Sequence, residues 1–225
     1  MKLKKIVIFG SGGHAFVALS EIIKAKKFKI IGVVDDYFDK KKINLFKYYG
    51  VKYLGNLNKF SKSKSKKNIF GFVAVGDNKK REEIVKKVSK IIKNIRWATI
   101  ISKDAIISTN VKIGEGTIIV SGSVVNFGTI IKKHCLINTN SSIDHENYFE
   151  SFSSSGPSVT TGGNLKVFKG SHLGISSTIK QGIIIGKNTI IGGQTFINKN
   201  CDSNSMYFGI PGKKVGSRHK FPKQF

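Results

Sequence analysis

At 225 residues, the chain can form one or two domains, and 40% hydrophobic residues suffice for a packed core. Its 39 Lys+Arg against 13 Asp+Glu give a formal net charge of +26, and because the lysines are spread along the chain we favour attraction of anionic small molecules over a nucleic-acid surface. Two cysteines argue against a disulfide framework, and the apolar run at 6–9 is too short for a signal peptide or a membrane span. We expect a cytoplasmic protein that binds neither nucleic acid nor membrane.

A βαβ unit is predicted at the N-terminus. A continuous apolar run indicates a buried strand at 4–9, which leads through the glycine-rich residues 10–13 into an amphipathic helix ending near Lys26. A second strand, 29–34, ends at two aspartates, 35–36. Backbone N–H groups at such a turn, and at the N-terminus of the helix, can bind a phosphate.

The glycine turn also matches the dinucleotide-binding fingerprint, since Gly10-x-Gly12-x-x-Ala15 is followed by an acidic residue at Asp35. A nicotinamide-dependent dehydrogenase is therefore one alternative. A full dinucleotide fold needs two mononucleotide halves, whereas only about 95 residues and three clear strands precede the repeat that occupies the rest of the chain.

The remainder of the N-terminal region predicts one loop, one strand and one helix. Residues 38–67 are rich in lysine and should form a surface loop, whose end at 61–67 alternates Lys and Ser. A strand follows at 69–75, and a helix with apolar periodicity follows at 78–93.

Three short segments should meet in one crevice, because ligands of open parallel sheets bind at the carboxyl ends of the strands. Asp77 or Asn78 should cap the last predicted helix, which places Arg81 on its first turn, facing the strand ends. The crevice would then be lined by the glycine turn and by the segments that follow the second and third strands: 10–14, 35–36 and 76–81.

From Ile101 to Asp202 the sequence repeats every six residues without losing phase. Seventeen hexads fit, fourteen of their first positions are Ile, Val or Leu, and the fifth position is usually small. This period fits neither an α-helix nor a hairpin series, but it is the period of a parallel β-helix. Three hexads per coil predict a three-sided prism, in which residues eighteen apart stack about 4.8 Å from one another. Cys135 and Cys201 point inward without stacking, so we expect no disulfide.

The repeat is weakest around residues 143–163. Asn147 breaks the small-residue position, and Phe149, Ser155 and Thr161 break the aliphatic position. Sequences tend to violate their own structural rules where function competes with packing. This coil is therefore predicted to hold the chemistry.

Of the five histidines, only His145 is flanked by acids, in Ile143-Asp-His-Glu146. Its phase in the repeat points it outward, and its stacked neighbour, Gly163, leaves room beside the ring. An adjacent carboxylate can orient an imidazole and stabilise its protonated form, as a general base requires. We favour Glu146 as this carboxylate and keep Asp144 as the alternative; the other interpretation is a surface histidine between two solvated acids.

These features together resemble one family. Phe9-Gly-Ser-Gly-Gly-His14, Val34-Asp-Asp36, and Val75-Gly-Asp-Asn78 with Arg81, followed by a hexapeptide prism, are similar to the sialic-acid O-acetyltransferase and nucleotide-aminosugar N-acetyltransferase family over about residues 4–216. The resemblance implies an α/β + β fold, with a small Rossmann-like βαβ domain at 1–97 and a left-handed parallel β-helix at 98–225. It also implies a homotrimer with active sites between neighbouring prisms.

By this resemblance, the chain would transfer acetyl from acetyl-CoA to the amino group of a nucleotide-linked aminosugar, by direct attack with His145 as general base and without a metal. O-acetylation of sialic acid or a related sugar uses the same machinery and remains an alternative. The nucleotide sugar would contact Gly10, Gly12, Gly13, His14, Asp35, Asp36, Asn78 and Arg81. Acetyl-CoA would contact Ser154, Gly174, Gly192, Gly193, Pro211 and Lys213.

One position departs from the family pattern. Ser154 stands where family members commonly carry a second histidine near the coenzyme, so its hydroxyl would hydrogen-bond the acyl donor instead. A zinc enzyme similar to the γ-class carbonic anhydrases would need three histidines on one edge, and His134, His145 and His172 occupy different hexad positions. The charge leaves a structural or nucleic-acid-binding β-helix as a further alternative, and His219 in the basic tail should be solvated.

Overall fold

The computed structural model describes residues 3–37, 39–63 and 68–218, so part of the Lys-Ser tract and His219 lie outside the described residues. The first part of the chain is an α/β domain with four parallel strands and, among the described residues, four helices. In chain order they are β1 (Lys4–Phe9), α1 (Gly13–Ala25), β2 (Phe28–Val34), α2 (Lys40–Tyr48), α3 (Leu57–Ser61), β3 (Phe70–Val73), α4 (Asn78–Ile91) and β4 (Arg96–Trp97). The strands and helices predicted for this region are confirmed to within a few residues at their ends.

The prediction of a loop over 38–67 is wrong, because α2 and α3 occupy much of it. Asp39 and Asn56 cap the two helices through side-chain oxygens that accept backbone N–H bonds. The core contact of α2 is Phe46, whose ring stacks on Phe16 of α1 with the ring centroids 4.3 Å apart. A helix with one fully buried position has no apolar stripe for a sequence pattern to show.

The strands of the α/β domain lie in the order β2-β1-β3-β4. The chain places β2 on one side of β1 and then returns to place β3 on the other side, so the strand order reverses between β1 and β3. Ligands of open α/β sheets bind outside the carboxyl ends of the strands at such a reversal. The fourth strand was not predicted, because two residues are too few to show an alternating pattern.

Residues 100–201 wind into a left-handed, three-sided parallel β-helix of about six turns. Each predicted hexad contributes one two-residue strand that ends on its first position, so the predicted phase is confirmed. In chain order these strands are β5 (Ile100–Ile101), β6 (Ile106–Ile107), β7 (Lys112–Ile113), β8 (Ile118–Ile119), β9 (Val124–Val125), β10 (Ile130–Ile131), β11 (Leu136–Ile137), β12 (Ser142–Ile143), β13 (Tyr148–Phe149), β14 (Ser154–Ser155), β15 (Thr160–Thr161), β16 (Lys166–Val167), β17 (His172–Leu173), β18 (Thr178–Ile179), β19 (Ile184–Ile185), β20 (Ile190–Ile191) and β21 (Phe196–Ile197). A hairpin of β22 (Ser205–Phe208) and β23 (Lys213–Ser217) follows the last coil.

Strands three hexads apart pair in parallel, so that Ile131 stacks on Phe149, eighteen residues away. The pairing produces three sheets, which are the faces of the prism. The domain face is β23-β22-β20-β17-β14-β11-β8-β5, the six-strand face is β21-β18-β15-β12-β9-β6, and the five-strand face is β19-β16-β13-β10-β7.

The corners of the prism follow a rule that the sequence analysis missed. Every sixth residue from Asn110 to Gln194 has a positive φ. Glycine and asparagine adopt this left-handed region readily, but Glu146, at φ 55°, and Phe152, at φ 62°, also lie in it. For such residues the conformation costs about 1–2 kcal/mol, so something other than backbone preference retains them.

In the coil where the repeat is weakest, buried polar side chains bind one another inside the prism. Asn147 is buried, donates from Nδ2 to Thr161 Oγ1 at 2.7 Å, and accepts from the Leu165 backbone N–H at 2.7 Å. The hydroxyls of Ser141 and Ser155 lie 2.9 Å apart. Buried polar groups are tolerated where they bind one another, so the breaks in the repeat compensate each other.

The α/β domain packs on the domain face. Ile118 and Leu136, which point outward from that face, share a buried cluster with Ala18 and Ile22 of α1. Since β4 ends at residue 97 and β5 begins at residue 100, we propose that the domain boundary lies between residues 97 and 98. Over the part of the chain that the structure describes, the helices are too short or too polar to cross a membrane.

Candidate functional site

Two glycines of the turn after β1 are not required by the fold. Gly10 has φ 102°, and an added Cβ would lie 2.9 Å from Val75 Cγ2, so the backbone itself requires a glycine there. By contrast, Gly12 has φ −71°, Gly13 starts α1, and a Cβ on either would meet nothing within 4 Å. No side chain caps α1. An open space at an uncapped helix N-terminus suits the close approach of an anion such as phosphate.

His14 follows this turn, on the first turn of α1. Burial, followed by the positive charge of Arg81, lowers the pKa of His14 to about 4. The ring is therefore neutral at neutral pH, and it can donate one hydrogen bond and accept another. These properties suit the recognition of hydroxyl groups beside a phosphate.

The two aspartates after β2 hold the crevice together. Asp35 Oδ2 accepts from the N–H and the hydroxyl of Ser11 at 2.6 and 2.7 Å, and its Oδ1 accepts from the Tyr37 N–H at 2.9 Å. In a dinucleotide fold, the acid at this place binds the ribose, whereas here it binds the glycine turn. Asp36 accepts from the Leu57 N–H at 3.1 Å and from Lys87 Nζ at 2.5 Å, and its side chain remains 48% exposed.

Asn78 and Arg81 join the α/β domain to the β-helix through hydrogen bonds. Arg81 is 3% exposed and donates to the carbonyl of Val75 in the α/β domain at 2.9 Å and to that of His134 in the β-helix at 2.9 Å. Asn78, 1% exposed, donates to the Ser171 carbonyl at 3.0 Å. Both side chains are buried in the domain interface, where they bind backbone carbonyls, and their contact with the nucleotide sugar stays a prediction.

The seam between the domains also contains aromatic rings. His134 stacks on Phe152 with a centroid distance of 5.1 Å, and the edge of Trp97 meets it at 5.2 Å. Burial is the main cause that lowers the pKa of His134 to about 4. These rings, with Arg81, explain why residues other than glycine occupy positive φ at this corner.

His145 lies on the edge between the six-strand and five-strand faces and points outward, with a side chain 51% exposed. Its Nδ1 is 3.1 Å from Glu146 Oε2. The ring lies over Gly163, where an added Cβ would come within 2.5 Å of ring atoms. Glu146 therefore fixes the tautomer that leaves Nε2 as an acceptor toward solvent.

Asp144 contacts the backbone rather than the ring. Its Oδ1 accepts from the His145 N–H at 2.8 Å and from Asn126 Nδ2 at 3.2 Å. Asp144 thus shapes the corner, while Glu146 contacts the imidazole from a strained position at φ 55°.

A hollow of about 400 Å³ opens on the domain face near the end of the β-helix. Its wall is mostly apolar side chains and backbone, including Ile175, Met206 and Phe208. Three of the residues that the resemblance places near acetyl-CoA line it: Gly174, Gly192 and Gly193. Pro211 and Lys213 lie outside the wall, exposed in the hairpin that follows the last coil, and the neighbouring Lys214 pairs with Asp202 at 2.8 Å.

Ser154 does not reach the hollow. Its side chain is fully buried, and its hydroxyl lies 2.9 Å from Nδ1 of His172, which does line the wall. Ser154 therefore contacts His172 in this structure, and its contact with the acyl donor stays a prediction. His172 was not predicted as a site residue, although its place eighteen residues after Ser154 puts the two in one stack.

No three His, Cys, Asp or Glu side chains come together as a metal site within the described ranges. His134 lies in the domain seam, His145 on the opposite edge of the prism, and His172 in the hollow. The predicted separation of these histidines is confirmed.

Comparison with known proteins identifies the N-terminal part by sequence and the whole chain by fold. Residues 5–88 match the family model of the PglD N-terminal domain. A further relative, the uncharacterized protein L142 of Acanthamoeba polyphaga mimivirus, is 32% identical over 120 residues, which is 53% of this chain. The match spans only 22% of that relative's length.

Two solved structures cover nearly the whole chain. PerB from Caulobacter crescentus, in complex with CoA and GDP-perosamine, is 24% identical with a TM-score of 0.85, over 96% of this chain and 99% of that one. The acetyltransferase domain of PglB from Neisseria gonorrhoeae is 22% identical with a TM-score of 0.84, over 94% and 100% of the two chains. Residues 5–88 thus match the model of the PglD N-terminal domain, a left-handed β-helix follows them, and the chain has the fold of the two solved structures.

Proposed function

We propose that the chain is an acetyl-CoA-dependent N-acetyltransferase whose substrate is a nucleotide-linked aminosugar. The observation that carries the proposal is the exposed His145–Glu146 pair on a β-helix joined to an α/β domain with an open, uncapped glycine turn. Complexes of structural neighbours with CoA and GDP-perosamine, and with acetyl-CoA, support the same pair of substrates. A net charge of +26 favours the approach of both anionic molecules.

The geometry is suited to direct attack. Nε2 of His145 accepts a proton from the amine as its nitrogen bonds to the thioester carbonyl carbon. Glu146 stabilises the imidazolium that forms. The tetrahedral intermediate then expels the CoA sulfur, so that a C–N bond replaces the C–S bond, and the imidazolium returns the proton to the thiolate.

The nucleotide sugar would bind at the glycine turn. Its diphosphate would lie against the backbone N–H groups of Gly12, Gly13 and the first turn of α1, where no Cβ obstructs it. The neutral ring of His14 would then contact the sugar hydroxyls. Asp36, still half exposed, would meet the nucleoside, whereas Asp35 would keep the turn in shape.

A second copy of the chain would complete the active site. The α/β domain packs on the first coils of the domain face, while His145 lies on the edge between the other two faces, across the prism. One chain therefore does not bring its own glycine turn to its own His145. We propose a homotrimer in which neighbouring prisms share each site, and a cytoplasmic location, which suits the buried free thiols Cys135 and Cys201.

A substrate panel tests the reaction. The protein is incubated with acetyl-CoA and with UDP- and GDP-linked 4-amino sugars or free sialic acids, and thiol release is followed together with the mass of the product. We expect thiol release and an added acetyl group with a nucleotide-linked aminosugar. Acetylation of free sialic acids alone would replace the proposal by O-acetylation.

Shared sites are tested by co-expressing a His145→Ala chain with a chain that carries Gly12→Asp and Gly13→Asp. If neighbouring copies share each site, mixed assemblies regain activity that neither variant has alone. Absence of activity in mixed assemblies that light scattering shows to be formed would place both halves of the site in one copy.

A further inference from the structure

Among the residues that the structure describes, His172 is the one titratable side chain on the wall of the hollow. The other described residues on this wall are apolar, glycine, or small neutral polar residues, without a lysine or an arginine. A wall without cations is poorly suited to phosphate groups. It is suited to an uncharged chain that carries amides, because apolar surface surrounds a few polar groups.

The His172 ring is held in place from behind. It is 4% exposed, and its Nδ1 lies 2.9 Å from the hydroxyl of Ser154, one coil earlier in the same stack. Burial is the main cause that lowers the pKa of His172 to about 3, so the imidazole is neutral at neutral pH. A neutral ring oriented by a hydroxyl can serve an amide as a donor or an acceptor, without attracting an anion.

The position of the hollow suits the same ligand. Gly174, Gly192 and Gly193 lie on its wall, so backbone is close to whatever fills it. The exposed side chains of Ile175 and Phe208 border it and offer apolar contact. An elongated chain with methyl groups and amides would use both kinds of surface.

We propose that His172 binds an amide of the pantetheine arm of the acyl donor, and that Ser154 is the residue that positions it. This inference rests on the proposed acetyltransferase function. The resemblance gives the contact with the coenzyme to residue 154, and we assign this contact instead to His172, one coil later in the same stack. Ser154 supports the ring, and His172 meets the ligand.

Binding of two donors to the full-length protein tests the assignment. Dissociation constants for acetyl-CoA and for S-acetylpantetheine, which lacks the nucleotide, are measured by calorimetry with wild type, His172→Ala, His172→Gln and Ser154→Ala. Loss of one hydrogen bond should weaken both donors by about 3–10-fold in His172→Ala, with a smaller loss in Ser154→Ala. Partial rescue by His172→Gln, and a rise in KM for acetyl-CoA larger than the change in kcat, are expected as well.

The matched control is His134→Gln, which changes a buried histidine of the same β-helix that lies outside the hollow. It should lower thermal stability and leave affinity for both donors unchanged. Wild-type affinity in folded His172→Ala, His172→Gln and Ser154→Ala would overturn the inference, as would weaker binding of acetyl-CoA without weaker binding of acetylpantetheine. If wild type itself binds neither donor, the proposed acetyltransferase function fails first.

Discussion

Replacement of Glu146 by glycine should make the protein more stable and less active. Glu146 lies at φ 55°, where a residue with a Cβ is strained and glycine is not. The carboxylate of Glu146 is also the partner of the His145 ring, at 3.1 Å. One substitution therefore relieves backbone strain and removes the group that stabilises the imidazolium.

The two effects can be estimated separately. Relief of the left-handed conformation should raise the free energy of unfolding by about 1–2 kcal/mol. The greater freedom of glycine in the unfolded chain should lower it by about 0.4–1 kcal/mol. The two ranges leave a net gain of about 0–1.6 kcal/mol, which should raise Tm by up to about 6 °C. The hydrogen bond to the imidazolium is charged, so its loss of about 1.5–3 kcal/mol should lower kcat by about 10–100-fold.

Thermal unfolding and steady-state acetylation are measured on the same preparation. The matched control is Ser158→Gly, since Ser158 lies at φ 57°, is exposed, and lies on a different edge from His145. It should gain similar stability and keep its activity. Glu146→Gln should lose activity without gaining stability, because a glutamine at this position keeps the strain.

Either of two results would contradict this double role of Glu146. If Glu146→Gly is less stable than wild type, the carboxylate contributes more to folding than the strained backbone costs. If Glu146→Gly keeps the kcat of wild type, Glu146 does not assist His145.

Three further outcomes follow from the structure. Gly12→Ala and Gly13→Ala should fold normally, since no atom lies within 4 Å of the new Cβ, and both should raise KM for the nucleotide sugar in kinetic assays. Gly10→Ala, at φ 102°, should instead unfold at a lower temperature. Normal KM values in the Gly12→Ala and Gly13→Ala variants would argue against a ligand at this turn. Arg81→Ala should lower the free energy of unfolding by about 3–5 kcal/mol in urea denaturation, because buried carbonyls of both domains lose their donor. A urea midpoint equal to that of wild type would contradict the role of Arg81 in joining the domains. Because burial lowers the pKa values of His134 and His172 to about 4 and about 3, the unfolded chain takes up protons below about pH 6.5 that the folded chain does not, so stability should fall as pH drops from 6.5 toward 4. His134→Asn, which tolerates φ 56°, should flatten that slope by at most about 1.4 kcal/mol per pH unit, and an unchanged slope would show that the ring does not stay neutral.

The β-helix could be predicted because its core repeats locally. Ile119, Ile137 and the other first positions point inward every six residues, and a pattern within one hexad shows this without knowledge of distant contacts. The outward position of His145 followed from the same phase. The pairing of Asn147 with Thr161 did not, since it joins residues that meet only when neighbouring coils stack.

Two predicted site residues have surroundings that depend on residues distant in sequence. Arg81 was expected in the crevice from its place on the first turn of α4, yet its guanidinium reaches the His134 carbonyl of the other domain. Ser154 was expected to face the coenzyme, but the ring of His172 covers it. The contact of Arg81 leaves no mark in local sequence, because it depends on how a large side chain packs against a surface formed by distant residues. The pairing of Ser154 with His172, by contrast, follows the eighteen-residue spacing of the coils.

Turnover of His145→Ala with acetyl-CoA and a nucleotide-linked aminosugar tests most directly whether this histidine is the base. We expect kcat to fall by roughly 10²–10⁴-fold, while calorimetric affinities for both substrates stay within about twofold of wild type. Because the His145 side chain is 51% exposed, the variant should fold, and its kcat can be compared directly with that of wild type. A kcat near that of wild type, with the acetylated sugar as product, would contradict the assignment of His145 as the general base.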